Sequence, residues 1–339
     1  MIYRLAKKFF RIKSPRIKLL LLACSHIFRV RYVGIFLDPV IACNLRCKMC
    51  HFSDPQKRPQ PQKPMSQEYQ ATIAKALFSR AAKLQIGCGA EPTLYQHLPE
   101  LISLAKSFKI PYVELTTNGQ LLTHESLTTL VNCGLDGITL SLHGTTKDTY
   151  EYLMGKAQFD KLLSLIETLR RIKATNPKFT IRLNYTFNNM NVAEMKQIFT
   201  LFEGVDINVL QIRPIQNLGD TEYSDFELTK IIEDYDNLIL PIENECKMRG
   251  IIYLGPSLEN LAEVNKTHSI YDEMIERLVY CYVSSTACYH DDFDPCTDTF
   301  NSYHRRKGLI WQLFKAALSP NSKQQTTVDS TKKMNYSIK

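Results

Sequence analysis

Between residue 33 and about residue 219, short apolar runs rich in β-branched residues alternate with stretches of helical period. The runs at 33–37, 84–87, 112–116, 137–142, 179–187 and 208–212 have the length and composition of strands. Helical periods fill the gaps at 67–82, 95–107, 124–133, 158–174 and 191–203. Ser66 and Thr123 stand where N-caps belong, and Gly134 stands just past a helix end. Strands that each return through a helix pair in parallel, so the expected class is α/β. Six such units fall short of the eight of a closed TIM barrel. The expected core, residues 32–220, is therefore a partial, open (β/α)6 TIM-like barrel.

The flanks differ from this core. Residues 1–31 mix basic and apolar clusters and predict a helical, amphipathic arm broken near Ser14-Pro15. Its two readings are a lead-in packed on the barrel and a peripheral contact with a membrane. Residues 221–318 form a helical, cysteine-containing extension with a helix over 226–249, and the polar segment 319–339 predicts a disordered tail. Four prolines within 55–64 make that stretch an extended loop.

Composition narrows the function classes. The chain has 339 residues, 44% of them apolar, enough to bury a sizeable core. Its net charge is +8, but nine Lys or Arg fall within residues 1–32 and no acid precedes Asp38. The body is close to neutral and carries no basic stripe with interleaved aromatics, so no nucleic acid is expected as a partner. The apolar run 19–24 is too short to span a bilayer and lacks a signal-peptide cleavage site. Ten cysteines, one tight triplet among them, fit a reducing cytoplasm better than a secreted disulfide framework.

That triplet is Cys43-Asn-Leu-Arg-Cys47-Lys-Met-Cys50, directly after the first strand run. Three thiols in eight residues cannot all pair among themselves. Structural zinc needs four ligands, and beyond the adjacent His51 no fourth stands at a usual interval. Three thiolates suit an iron–sulfur cluster with one iron left open.

This triplet resembles the hallmark of the radical S-adenosylmethionine (SAM) superfamily, and the strand-end loops extend the likeness. Gly89-Ala90-Glu91-Pro92 follows the second run and is similar to the family's Gly-Glu-Pro motif, with Ala90 where many members have Gly. Thr117-Asn118 follows the third and is similar to its Thr-Asn-Gly loop. Ser141-Leu-His143-Gly144 follows the fourth and is similar to its Ser-Leu-Asp-Gly turn, with His143 replacing the acid. Asn184 and Arg213 are further candidates to contact the cofactor, and Asn44 and Arg46 to shape the cluster loop. The resemblance implies a [4Fe–4S] cluster on Cys43, Cys47 and Cys50, with SAM chelating the fourth iron. It also implies an electron donor such as flavodoxin or ferredoxin. One electron would then cleave SAM, and a 5′-deoxyadenosyl radical would take a hydrogen from substrate.

Cys281, Cys288 and Cys296 form a looser group among Tyr and Asp residues, similar in position to the auxiliary-cluster extensions of the twitch and SPASM types. They are the candidates for a second Fe–S cluster. Cys24, Cys88, Cys133 and Cys246 read as small buried hydrophobes. The substrate is expected to be a peptide or protein side chain or a sugar-like small molecule. One alternative is an enzyme like the molybdenum-cofactor cyclases; another is a non-catalytic iron–sulfur or zinc module, which leaves the strand-end loops unexplained.

Overall fold

A computed structural model describes residues 9, 12, 14–56, 58–60, 62–215, 228–262, 267–319 and 325–327. Most of the expected tail, the first eight residues and the boundary near 220 lie outside the described residues. The centre is a sheet of eight strands, every neighbouring pair parallel. In chain order they are β1 (Val33–Asp38), β2 (Ala81–Ile86), β3 (Val113–Thr117), β4 (Gly137–Leu142), β5 (Thr180–Phe187), β6 (Val209–Pro214), β7 (Ile252–Leu254) and β8 (Tyr280–Ser284). The first six match the expected strands to within a few residues, and the order across the sheet is β8-β1-β2-β3-β4-β5-β6-β7. The sheet is the open, partial TIM-like barrel, widened at both edges by strands from the extension.

The helices pack on its outside. Helix α1 (Pro15–Ile27) leads in; α2 (Gln67–Leu77), α3 (Leu98–Ser107), α4 (His124–Asn132), α5 (Lys147–Leu153) and α6 (Phe159–Thr175) separate the first five strands. Ser66 caps α2 by accepting from Tyr69 N, and Thr123 forms a capping box with Ser126. Gly134 follows α4 at φ 104°, a conformation that costs a side-chain-bearing residue heavily. The expected helix over 191–203 is only the short α7 (Ile198–Leu201). The Asn188 carboxamide accepts from Met190 N and Asn191 N, and Asn191 answers by accepting from Asn188 N. These side-chain turns satisfy the backbone without a helix. The helix expected over 226–249 is likewise divided, and its last part, α8 (Leu240–Met248), carries Pro241 in its first turn.

Alternation along the strands sorts the two faces. Ile35, Leu84, Leu115, Ile138, Ile181 and Leu210 lie in the buried apolar core. The opposite face carries Lys83, Glu114, Thr139, Arg182 and Gln211. There Lys83 pairs with the fully buried Glu114, Thr139 donates to the same carboxylate, and Arg182 donates to Gln211. Burial works to raise the Glu114 carboxyl, but Lys83 and Arg182 outweigh it and hold it below its ordinary value. Lys83→Met, which strands this charge, is expected to cost about 3 kcal/mol in urea unfolding. A depressed carboxyl contributes stability above its unfolded pKa and loses it as pH falls through the folded value. Wild type should therefore lose more stability than Lys83→Met when the pH drops through that window.

A second core lies beside the barrel. Helix α1 buries Leu19, Leu22 and Ala23 against α9 (Ile270–Val279) and α11 (Leu309–Leu318), the latter following α10 (Phe300–Arg306). The described helix of the N-terminal arm thus packs on the C-terminal extension. None of the described helices is long and apolar enough to cross a membrane.

Candidate active site at the C-terminal ends of the strands

The strands deliver their following loops to one end of the sheet, and one cavity opens there. Of the candidate residues, Cys43, Cys47, Cys50, Gly89, Ala90, Glu91, Thr117, Asn118, Ser141 and Arg213 line it. Pro92 and Asn184 do not. Pro92 starts the turn Pro92–Leu94 behind the lining, and Asn184 sits two residues back from the mouth on β5, where Thr186 takes the lining position.

The cysteine loop is held from several sides. Arg46 and Cys47 form a two-residue antiparallel ladder with Met154 and Gly155, extended by Lys48 N donating to Leu153 O at 3.0 Å. The Arg46 guanidinium donates to the carbonyls of Cys43 and Leu45, tying the loop's turn. Asn118 Nδ2 donates to Asn44 Oδ1 at 2.9 Å, joining this loop to the one after β3. Asn44 and Arg46 thus do shape the loop as expected.

Glu91 is the hub between loops. Its backbone N–H donates to Ala42 O at 2.8 Å. Its carboxylate accepts from Thr93 N at 3.2 Å, Thr93 Oγ1 at 2.5 Å, Thr117 Oγ1 at 2.6 Å and Asn118 N at 2.8 Å. Burial raises the carboxyl above its ordinary value, and these bonds offset only part of that rise. At Gly87, φ is 88° and an added Cβ would stand 2.3 Å from Thr116 O, so only glycine fits this turn.

Asp38 and Tyr282 were not singled out by sequence. Asp38 ends β1, where a single acid after an apolar run is its only signal. Its carboxylate accepts from Cys88 N at 2.7 Å and Gly89 N at 3.1 Å, fixing the loop after β2. Tyr282 donates its hydroxyl to the same carboxylate at 3.0 Å, so the extension reaches into the site through β8. Cys88 also lines the cavity, although it reads from sequence as a plain core residue. Cys246 is buried as expected, but Cys24 is exposed on α1.

His143 closes the far side. Its Nδ1 accepts from Thr186 N at 3.4 Å, and Asn191 Nδ2 donates to its carbonyl at 2.9 Å. Burial, reinforced by Arg213, lowers its pKa to about 3, so the ring is neutral at physiological pH. Arg213 Nε donates to Thr186 Oγ1 at 3.4 Å and keeps the guanidinium at the cavity wall.

The three thiols fit an iron–sulfur cluster by their chemistry. Burial raises Cys43 to about 11 and raises Cys47 and Cys50 as well, with neighbouring thiolates adding to it at Cys43 and Cys47. Such thiols remain protonated unless a bound cation compensates the thiolate charge. Among the described residues no group of three or more His, Cys, Asp or Glu converges as a single metal ion requires. Ligands of a four-iron cluster each bind a different iron and stand farther apart, so that requirement does not apply to them. The buried Thr116 Oγ1, on the cavity wall, has no hydrogen-bond partner among the described residues, which suits a polar ligand beside it.

In the extension, Cys281 is fully buried on β8, Cys288 is half-buried and Cys296 is exposed. Cys288 lies close enough to Cys281 to help raise its thiol, after burial. Tyr69 of α2 is near both Cys288 and Cys296, which, behind burial, raise its hydroxyl.

The family model of the Radical SAM superfamily matches residues 39–202. Curated relatives include probable GTP 3′,8-cyclases of Saccharolobus solfataricus, 26% identical over 57% of this chain and 61% of that one, and of Metallosphaera sedula, 27% identical over 61% and 63%. The chain spans about three-fifths of the length of the curated relatives it matches. Among solved structures, Streptococcus suis SuiB bound to S-adenosylmethionine is 16% identical, with a TM-score of 0.60 over 85% of this chain and 68% of that one. Native anSMEcpe with bound AdoMet is also 16% identical, with a TM-score of 0.60 over 84% of each chain. At that identity the likeness is one of fold. Residues 39–202, which hold the cysteine triplet and the strand-end loops, thus form a domain of the radical SAM superfamily, whose enzymes work with a [4Fe–4S] cluster and SAM.

Proposed function

We propose that Cys43, Cys47 and Cys50 hold the cluster and that the loops after β2, β3 and β4 hold SAM for hydrogen abstraction from a peptide side chain or a sugar-like small molecule. The observation that carries this reading is the shared cavity, in which three thiols face the Gly89–Glu91, Thr117–Asn118 and Ser141 loops. Bound there, the cluster and SAM supply one-electron cleavage of the sulfonium and a hydrogen-abstracting species. The chain's own residues bind and orient. Backbone groups at Gly89 and Ala90 would meet the amino-acid end of SAM, on a loop that Asp38 fixes by accepting from Cys88 N and Gly89 N. Thr117, Asn118 and Ser141 offer hydroxyl and amide groups along the cavity wall. Arg213 supplies a fixed cation suited to a carboxylate or phosphate of substrate, and neutral His143 beside it adds no competing charge.

A second reading is a cyclase of the kind that the curated relatives are named for, favoured by their 26% and 27% identity over 57% and 61% of this chain. Fold and sequence likeness at this level do not fix the substrate, which is set by the site itself. A second iron–sulfur site on Cys281, Cys288 and Cys296 is part of this proposal, supported by Cys288 lying near Cys281 and by Cys288 and Cys296 both lying near Tyr69. Radical SAM chemistry needs a reductant, and flavodoxin or ferredoxin in the cytoplasm would serve.

Incubating the reduced holoenzyme with deuterated candidate substrates tests the reading. Deuterium is expected in 5′-deoxyadenosine with a labelled peptide or sugar. Transfer from labelled GTP, and from none of the others, would replace the first reading with the second.

A further inference from the structure

We infer that the outward faces of α1 and α11 form one docking surface for an anionic lipid bilayer. Helix α1 is apolar on both sides. Leu19, Leu22 and Ala23 are buried in the second core, while Ile17, Leu20, Leu21, Ile27 and the following Phe28 are exposed. These exposed positions follow the i, i+3, i+4 spacing of a single helical stripe. Helix α11 repeats the design: Leu309, Leu313 and Ala317 face the core, and Ile310, Trp311 and Leu318 face out. A water-facing helix ordinarily puts polar residues on its outer side.

The two helices pack along one another in opposite directions. Arg16 at the start of α1 donates to Ser319 O at the end of α11, at 3.0 Å. At the other end Ile27, Arg29, Ile310, Trp311 and Phe314 line one groove. The two outer stripes are therefore neighbours, although their sequences lie nearly a chain length apart. Trp311 is 72% exposed and Phe28 76% exposed, which is unusual for large apolar side chains without a partner phase.

Charge selects the occupant. No Asp or Glu occurs in residues 14–37 or 299–319, while Arg16, Lys18, Arg29, Arg305 and Lys315 surround the apolar stripes. A second copy of this chain would bring cations against cations. An anionic leaflet accepts both features, apolar side chains among the acyl chains and basic ones at the headgroups. A tryptophan is at home at that boundary.

The surface also has a direction. Arg80, just before β2, donates to His26 O at 2.9 Å, and Arg31 donates to the carbonyls of Phe78, Ala81 and Phe108. The C-terminal end of α1 thus sits at the N-terminal ends of the strands, opposite the cavity. Docked this way, the protein keeps its active-site mouth open to water.

Trp311 is the only tryptophan in the chain, so its fluorescence reports on this face alone. The full chain is titrated with phosphatidylcholine vesicles containing about one-third phosphatidylserine, at low salt. A blue shift of the emission and co-flotation are expected, with apparent affinity at least about tenfold weaker for pure phosphatidylcholine. The combined variant Ile17→Glu, Leu21→Glu and Phe28→Glu should lose both signals at unchanged thermal stability, because all three side chains are exposed. A wild type that neither shifts nor floats overturns the inference. So does a blue shift that follows protein concentration without lipid, which would mark a second copy as the occupant.

Discussion

Replacing Cys43, Cys47 and Cys50 together with alanine is expected to take SAM cleavage by the anaerobically reconstituted protein below detection. Each thiol lines the cavity, and the backbone between them is pinned by the Arg46 guanidinium and the Met154–Gly155 ladder. Of the remaining described cysteines only Cys88 lines the cavity, and one thiolate does not replace three. The free protein should lose little stability, since a buried small apolar group replaces a buried protonated thiol. Iron content separates the two proposed sites. Wild type should hold about eight irons and the triple variant about four, if both sites carry four-iron clusters. A wild-type value near four, falling to none in the variant, removes the second site and keeps the first. Cleavage at the wild-type rate in the triple variant would end the assignment itself.

Glu91→Ala should be the most damaging single change outside the cysteines. It strands two backbone N–H groups and two hydroxyls that now share one buried carboxylate. Each orphaned donor costs on the order of 1 kcal/mol, so a loss of about 3 kcal/mol is expected after relaxation. The effect on SAM should be larger than stability alone explains, because Glu91 sets the spacing between the loops after β2 and β3. Calorimetric titration of the reconstituted variant with SAM is expected to show affinity at least about tenfold weaker. Glu91→Gln keeps one acceptor oxygen and should fall between wild type and Glu91→Ala. Unchanged SAM affinity in Glu91→Ala would show that Thr117 and Asn118 hold their places without the carboxylate.

The parts of this arrangement that sequence exposes are those with local causes. Strands β1 to β6 announce themselves because apolar residues run at a helix-covered face and turn signals follow each run. The thiol triplet and the loops after β2, β3 and β4 are legible because each is contiguous. Strand β7 is only three residues long, and β8 lies in a tyrosine- and cysteine-rich stretch with no clear alternation. Their identity as strands comes from the sheet edges that they meet, which a single sequence does not display. Asp38 and Tyr282 escape for the same reason, since their partnership joins opposite ends of the chain. The period at 191–203 misleads because Asn188 and Asn191 satisfy the backbone with their side chains.

The placement of β8 beside β1 bears on how this protein is made. β1 leaves the ribosome before the other strands of its sheet, yet one of its two neighbours is the last of them. Until Tyr280–Ser284 arrive, one edge of β1 presents unpaired amide and carbonyl groups beside an apolar face. Pairing at such separation is also slow, because a long stretch of chain must close before any contact compensates the lost freedom. The nascent chain thus carries its cysteine loop next to a raw sheet edge until β8 has been made. Completion of the barrel wall and burial of that edge become one event, reached only when the extension is in place.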